Sequence, residues 1–77
     1  MKEFLEYLIK QIVDTPDEVS VTVMDQEGFV VLTLTVAQTD MGKVIGKGGR
    51  IIKAVRDLVR ILAVKTNQRV NVVLAQS

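Results

Sequence analysis

The spacing of apolar residues changes from helical to alternating along this chain, and that change restricts the possible folds more than any other feature. Near the N-terminus the apolar residues share one side of a helical wheel; they are Phe4, Leu5, Leu8, Ile9 and Ile12. This amphipathic helix is expected to stop near Asp14-Thr15-Pro16, because the residue before a proline disfavours helical geometry.

Two segments with alternating hydrophobicity follow the helix. Val19, Val21 and Val23 alternate with polar residues and Met24, and a polar turn over residues 25–28 ends in Gly28. The alternation then resumes, with Val30, Leu32, Leu34 and Val36 on one side of the chain. These segments predict two strands joined as a hairpin.

The second half predicts two helices and a third strand. Thr39 or Asp40 is expected to cap a short helix, Met41 to Ile45, and the glycines of residues 46–49 interrupt it. A longer helix is expected from about Arg50 to Lys65, with a core face made of Ile51, Val55, Leu58, Val59 and Leu62. Alternation returns at Val70, Val72 and Leu74.

The resulting order, α-β-β-α-α-β, predicts an α+β fold. A strand, helical crossover and strand prefer parallel pairing with a right-handed connection, so the third strand should run parallel to the second. We therefore expect a three-stranded mixed sheet with helices packed on one face. A chain of 77 residues has room for one domain, residues 1–77.

The chain contains no Cys and no His, which removes most common active sites. A domain of this size also rarely holds both a core and a substrate cavity. We therefore expect a non-catalytic protein without a cofactor or bound metal.

Glu3, Glu6 and Lys10 interrupt the N-terminal apolar stretch, which argues against a signal peptide. No apolar run is long enough to span a membrane, so a cytoplasmic location is expected.

The two halves of the chain carry opposite charge. Residues 1–38 hold two basic and seven acidic residues, a net −5, whereas residues 39–77 hold eight basic and two acidic residues, a net +6. This asymmetry suggests a surface for a polyanion such as nucleic acid, built from the second half. A solvated basic helix face is the simpler explanation of the same charges.

Three of the five glycines fall within residues 46–49, between two predicted helices. Such a loop lets another molecule approach the backbone closely, and the following helix directs free N–H groups toward it. Lys47 at its tip, with Lys43, Arg50 and Lys53 nearby, favours a phosphate. The alternative is that these glycines only end one helix and begin the next, without binding a ligand. The glycine spacing fits neither a Walker loop nor a dinucleotide-binding fingerprint.

The segment resembles the core motif of KH domains, Val-Ile-Gly-x-x-Gly-x-x-Ile. The fixed positions are matched by Val44, Ile45, Gly46, Gly49 and Ile52. The predicted element order is similar to the bacterial, type II KH topology. The length and single domain are similar to the small bacterial KhpA family, also called the YlqC type, whose members are described as RNA-binding.

The resemblance implies how RNA would be held. In KH domains the Gly-x-x-Gly loop clamps the backbone of about four unpaired nucleotides, a role that falls here to residues 46–49. The adjoining groove would have Val44, Ile45 and Ile52 in its floor and Arg50 and Lys53 at its rim. The implied RNA-binding residues are Lys43, Val44, Ile45, Gly46, Lys47, Gly48, Gly49, Arg50, Ile52 and Lys53.

Two features limit how much sequence such a groove would read. The connection from Thr66 to Arg69, at the position of the type II variable loop, is very short, so sequence preference should be modest. The only aromatic residues are Phe4, Tyr7 and Phe29, all outside the basic half. A stacking platform like that of an RRM or OB fold is therefore not expected. The function predicted is that of a post-transcriptional regulator or RNA chaperone.

The long helix also carries apolar residues away from its predicted core face. Ala54, Ile61 and Val64 lie on its outer side and are candidates for a dimer contact, although small domains commonly expose such groups. The family resemblance implies self-association and pairing with KhpB, a larger protein with a KH domain beside a Jag domain. An alternative function is therefore a dimerisation or scaffold subunit whose partner supplies most of the RNA binding.

Overall fold

The computed structural model describes residues 1–75, so the last two residues of the predicted domain lie outside the described part. Its helices and strands are α1 (Lys2–Lys10), β1 (Ser20–Gln26), β2 (Phe29–Thr35), α2 (Met41–Ile45), α3 (Arg50–Lys65) and β3 (Arg69–Leu74). Single 3₁₀ turns occupy Pro16–Glu18, Gln38–Asp40 and Lys47–Gly49. The predicted order α-β-β-α-α-β is confirmed, and so are the bounds of the long helix.

The first helix is shorter than its sequence pattern predicts. It ends at Lys10, and the N–H groups of Ile12 and Val13 both donate to the carbonyl of Ile9 in a closing turn. Leu5 and Ile9 are its fully buried residues. Pro16 does not terminate α1 but begins a separate 3₁₀ turn, because its fixed φ and missing N–H suit the first position of a helical turn.

A two-residue turn joins β1 to β2 as an antiparallel hairpin. Glu27 and Gly28 both have positive φ, +39° and +93°, and Gln26 pairs with Phe29 directly across the turn. Turns with two left-handed residues match the twist of the flanking strands and are favoured in hairpins. The predicted hairpin is confirmed.

The sheet has the order β1-β2-β3, with β2 and β3 parallel, so the predicted mixed sheet is confirmed. Its buried residues all project from one face, as the alternation along each strand requires; they are Val21, Leu32, Leu34, Val70 and Val72. The helices cover this face. The opposite face is left open to solvent. At the end of the hairpin Val23 is 48% exposed although it belongs to the covered side, because the helices do not reach that far.

The core face of α3 is rotated relative to the prediction. Val55 and Val59 are buried as predicted, but the other buried positions are Ile52 and Ala63. The predicted core residues Ile51 and Leu58 are 36% and 40% exposed, and Leu62 is half-buried. Apolar residues occupy more than half of the circumference of this helix. The wheel alone therefore does not decide which part of the apolar arc meets the sheet.

Asp40 connects the start of α2 to the segment after α1 and does not cap α2 with its side chain as predicted. It lies at the N-cap position of α2, but its carboxylate makes no capping hydrogen bond there. Its oxygens instead accept hydrogen bonds from the backbone N–H groups of Asp14 at 3.2 Å and Thr15 at 3.0 Å. Only 1% of Asp40 is exposed, and bonds to an ionised acceptor are strong in such surroundings. Asp40 therefore fixes the start of α2 against the connection that follows α1.

Candidate nucleic-acid interface

The glycine loop, residues Gly46 to Gly49, joins α2 to α3 through a left-handed backbone. Gly46, Gly48 and Gly49 have φ values of +74°, +64° and +75°. A Cβ at Gly46 would lie 2.7 Å from Cγ1 of Ile51, so both backbone geometry and packing require glycine there. A Cβ at Gly48 or Gly49 would meet nothing within 4 Å. The outer half of the loop is therefore bare.

Two backbone amides of the loop are free to donate. The N–H of Gly46 donates to the carbonyl of Gly42 at 2.9 Å, and the N–H of Gly49 donates to the carbonyl of Gly46 at 3.2 Å. The N–H of Arg50 donates to the carbonyl of Lys47. Within residues 1–75 the N–H groups of Lys47 and Gly48 have no acceptor. An exposed loop with free amides suits an anionic oxygen.

The cations predicted for the site differ in their surroundings. Lys47, Arg50 and Lys53 are exposed beside the loop, and none of them forms an ion pair within the described part of the chain. The ammonium of Lys43, by contrast, pairs with the carboxylate of Asp14. Both of those side chains are largely exposed, and surface pairs of this kind are weak, on the order of 0–1 kcal/mol. Lys43 therefore remains able to exchange this partner for another anion.

The predicted aliphatic floor is only partly accessible. Val44 is fully buried and Ile52 is 7% exposed, so both belong to the core and support the site from below. Ile45 is 36% exposed and is the one residue of the three that offers a substantial apolar surface. This corrects the expectation that all three line a groove. The reason is the rotation of α3, which turns Ile52 toward the sheet.

Three arginines that the motif does not include extend the basic surface away from the loop. The Nε–H of Arg56 donates to the carbonyl of Val72 on the edge strand β3 at 3.1 Å. Arg60 and Arg69 line a cavity of about 260 Å³ at the far end of α3, which we call the far cavity. Its other lining residues are Ala63, Val64, Gln68 and Val70. Lys53, Arg56 and Arg60 are spaced by three and four residues, which places them on one side of α3. This spacing is the sequence signal that identifies Arg56 and Arg60 as part of the basic surface.

The residues predicted for a dimer contact are all exposed. Ile61 and Val64 are 58% and 74% exposed, and Ala54 is exposed as well. Ile51 and Leu58 join them on the surface. Ile51, Ala54, Leu58 and Ile61 follow one another at intervals of three, four and three residues and form what we call the apolar stripe. Val64 adjoins it but also lines the far cavity.

No helix in residues 1–75 combines the length and the apolar character of a membrane span. Over the same residues, no group of three or more carboxylate, imidazole or thiol side chains is arranged to hold a metal ion.

Two helices joined by a Gly-x-x-Gly loop, on a mixed sheet in this strand order, define a KH domain of the type II topology. The sequence matches the family described as KhpA/KhpB, KH domain, over residues 2–74, and the chain belongs to that family. This membership confirms the expected non-enzymatic class.

Named relatives support the same assignment. The chain is 53% identical over 70 residues to the RNA-binding protein KhpA of Clostridium acetobutylicum, covering 91% of this chain and 93% of that protein. It is 46% identical over 68 residues to the RNA-binding protein KhpA of Borreliella burgdorferi, covering 88% of this chain and 83% of that protein. The protein of the same name from Chlamydia pneumoniae is 46% identical over 71 residues, covering 92% and 91%. No solved structure gives a significant match.

Proposed function

We propose that this protein binds single-stranded RNA through contacts to the sugar–phosphate backbone, with the glycine loop as the clamp. The observation that carries this proposal is the pair of free amides at Lys47 and Gly48, in a bare loop beside three unpaired cations. Amide donors and flexible cations act on the same phosphate oxygens. The relatives' shared name, RNA-binding protein KhpA, supports RNA as the ligand.

The charges beyond the loop indicate the path that a bound RNA strand would follow along the protein. Lys53, Arg56 and Arg60 follow one side of α3 from the loop toward the far cavity, with the single exposed carboxylate of Asp57 beside them, so successive phosphates would meet mainly positive charge. Backbone contacts carry little sequence information, and the short connection of residues 66–68 adds few groups for reading base edges. Sequence preference should accordingly be modest. We infer a cytoplasmic post-transcriptional regulator or RNA chaperone.

The decisive experiment places two carboxylates where the phosphate would rest. Lys47→Asp combined with Gly48→Asp should reduce affinity for a single-stranded oligonucleotide by about 10- to 100-fold, since several phosphate contacts are lost. Aspartate tolerates the left-handed backbone at position 48, so the fold should survive. Fluorescence anisotropy measures the affinity, and circular dichroism checks the fold.

A matched control separates the clamp from a general effect of charge. Lys10→Asp combined with Gln11→Asp changes the net charge by the same amount at exposed positions outside the loop. This control should retain nearly all of the affinity. If the loop variant binds RNA as well as the control does, the clamp proposal fails. For the wild type, log affinity should fall with log salt at about −0.7 per phosphate contact on a single strand.

A second candidate function rests on the apolar stripe. Its spacing of three and four residues is that of a helix seam that packs against another helix. We propose that a second copy of this chain packs there, with Val64 adjoining, and that a KhpB protein, whose KH domain shares the family description, is an alternative partner. In this function the chain is a scaffold and the partner supplies most of the RNA binding.

Charge placed on the apolar stripe tests this alternative. Ile61→Glu should convert a dimer to a monomer in sedimentation velocity, because a carboxylate would be buried at the seam. Tyr7→Glu is a matched control, since Tyr7 is 63% exposed on a different helix. If Ile61→Glu leaves the sedimentation coefficient unchanged, the dimer surface is wrong. If Ile61→Glu abolishes both dimerisation and RNA binding, the scaffold function is favoured over the clamp.

A further inference from the structure

We propose a second nucleotide-binding site, a stacking site for an unpaired nucleobase, on the face of the sheet that the helices leave open. We call this surface the open face, and its centre is the pair Phe29 and Arg69. The inference rests on the proposed RNA-binding function and extends it beyond the loop.

Parallel pairing of β2 and β3 creates the site. Phe29 and Arg69 are register partners at the start of their strands, although they are far apart in the sequence. Their neighbours Val30 and Val70 point toward the helices, so both Phe29 and Arg69 project from the opposite face. Adjacent strands lie about 4.8 Å apart, so the two side chains leave the sheet from neighbouring positions. The one aromatic side chain on this sheet therefore has an arginine beside it.

The chemistry of the open face suits a nucleotide better than a purely apolar partner. Phe29 is 39% exposed, and Arg69 is exposed. Around them the same face carries the amides of Gln26 and Asn71 and the thioether of Met24, which is 52% exposed. A nucleobase offers a π-surface to Phe29 and hydrogen-bonding edges to the amides, and a guanidinium can hold its phosphate.

The charge of the open face agrees with an anionic ligand. Over the strand residues that form it, Arg69 is the one charged side chain. The nearest acidic residues along the chain are Asp25, which alternation places on the helix side, and Glu27, which lies in the turn. A strand of RNA reaching this face therefore meets no carboxylate within the sheet itself.

The open face is also continuous with the proposed RNA path. Arg69 lines the far cavity together with Arg60 and Gln68, at the end of α3 remote from the glycine loop. The same residue is the register partner of Phe29. An RNA strand that follows α3 from the loop to the far cavity would pass around the edge strand β3 at Arg69 and place a later base on Phe29 of the neighbouring strand.

The test compares two lengths of oligouridine on the full chain. A tetranucleotide matches the loop and groove of a KH domain, whereas an oligonucleotide of about 12 nucleotides can reach both sites. Phe29→Leu keeps an apolar side chain but removes the ring, and should weaken binding of the longer oligonucleotide by about five- to tenfold with little change for the tetranucleotide. Phe29→Tyr restores a ring and should restore the affinity.

A direct reporter accompanies the affinities. The chain contains no Trp, so Phe29→Trp introduces a single indole on the open face. Its fluorescence should be quenched by the longer oligonucleotide through base stacking and not by the tetranucleotide. Val73→Trp is the matched control, since Val73 is 41% exposed on the same face about 13 Å farther along the sheet.

The outcomes separate this inference from the proposed function. If the Lys47→Asp and Gly48→Asp variant loses both oligonucleotides but Phe29→Leu loses neither, the clamp stands and the stacking site is wrong. If the loop variant binds normally, the clamp fails whatever Phe29 does. If Phe29→Leu changes the sedimentation coefficient while RNA affinity stays the same, the open face is a protein interface and the stacking site is overturned.

Discussion

Two turns of this molecule use the same left-handed backbone with opposite surroundings. The hairpin turn places Glu27 and Gly28 at positive φ, and the glycine loop does the same with three glycines. Beside the hairpin turn the charges are acidic, at Asp25 and Glu27, whereas the cations Lys47, Arg50 and Lys53 surround the loop. Backbone geometry alone therefore does not distinguish a structural turn from a binding loop.

The difference lies in the charges beside the backbone amides that each turn leaves without an acceptor. The hairpin turn connects two strands that are paired up to its edges, with Gln26 opposite Phe29. It also tolerates a glutamate at positive φ. The glycine loop leaves two amides without acceptors within residues 1–75, and its outer glycines are bare. The N–H groups of Glu27 and Gly28 have no acceptor within these residues either, so what gives the loop the chemistry for an anion is the set of unpaired cations beside its free donors, where the hairpin turn has the carboxylates of Asp25 and Glu27.

The largest effect that sharpens this comparison should come from Gly46→Ala. The added Cβ would overlap Ile51, whose nearest atom lies at 2.7 Å, and alanine would also be held at φ +74°. We expect a loss of about 3 kcal/mol in the free energy of unfolding, measured by urea denaturation. Affinity for RNA should fall as well, because the loop can no longer close against α3.

A second variant checks the stated cause of that loss. Ile51→Ala removes the atoms nearest to the new Cβ and favours the helix, so Gly46→Ala combined with Ile51→Ala should recover about 1 kcal/mol. Backbone strain at φ +74° and the retained Cβ of residue 51, 3.0 Å from the added Cβ, would account for the part that remains. If the double variant is no more stable than Gly46→Ala alone, overlap with Ile51 does not explain the requirement for glycine.

A smaller loss is expected from Gly28→Ala in the hairpin turn. Nothing lies within 4 Å of the added Cβ, so the only penalty is the positive φ of +93°. We expect a loss of about 1–2 kcal/mol with unchanged affinity for the tetranucleotide, which reaches the glycine loop alone. Urea denaturation and anisotropy on the same sample measure both quantities. A fall in the affinity of the folded variant for the tetranucleotide would show that the hairpin turn takes part in binding at the loop, and the two turns would then not differ in function.

Local patterns predicted most of this fold because the interactions that form it are local. The hairpin turn, the bounds of α3 and the strand alternation follow from residues close together in the chain. The rotation of α3 does not, since Ile51 and Leu58 are as apolar as the residues that replace them in the core. The pairing of Phe29 with Arg69 also escapes sequence reasoning, because it depends on the register of two strands separated by both later helices.

The third prediction compares asparagine at the two turns. Asparagine tolerates a left-handed backbone, so Gly48→Asn and Gly28→Asn should each cost less than about 1 kcal/mol of stability. RNA affinity should separate them. Gly48→Asn places a side chain on the bare loop and should weaken binding of the tetranucleotide by about three- to fivefold, whereas Gly28→Asn should leave that binding unchanged. Equal affinities for the two variants would mean that a bare surface at Gly48 is not what the ligand requires.

The smallest effect is expected at Gly42, which precedes the loop in α2. Its φ is not positive, and nothing lies within 4 Å of an added Cβ, so neither conformation nor packing requires glycine there. Gly42→Ala should therefore stabilise the protein by about 0.5 kcal/mol through helix propensity, while its carbonyl still accepts the N–H of Gly46. RNA affinity should change by less than about twofold. Urea denaturation and anisotropy decide the matter: an affinity loss without a stability loss would mean that the strand passes close over α2. The binding loop would then begin at Gly42, one helical turn earlier than its backbone geometry indicates.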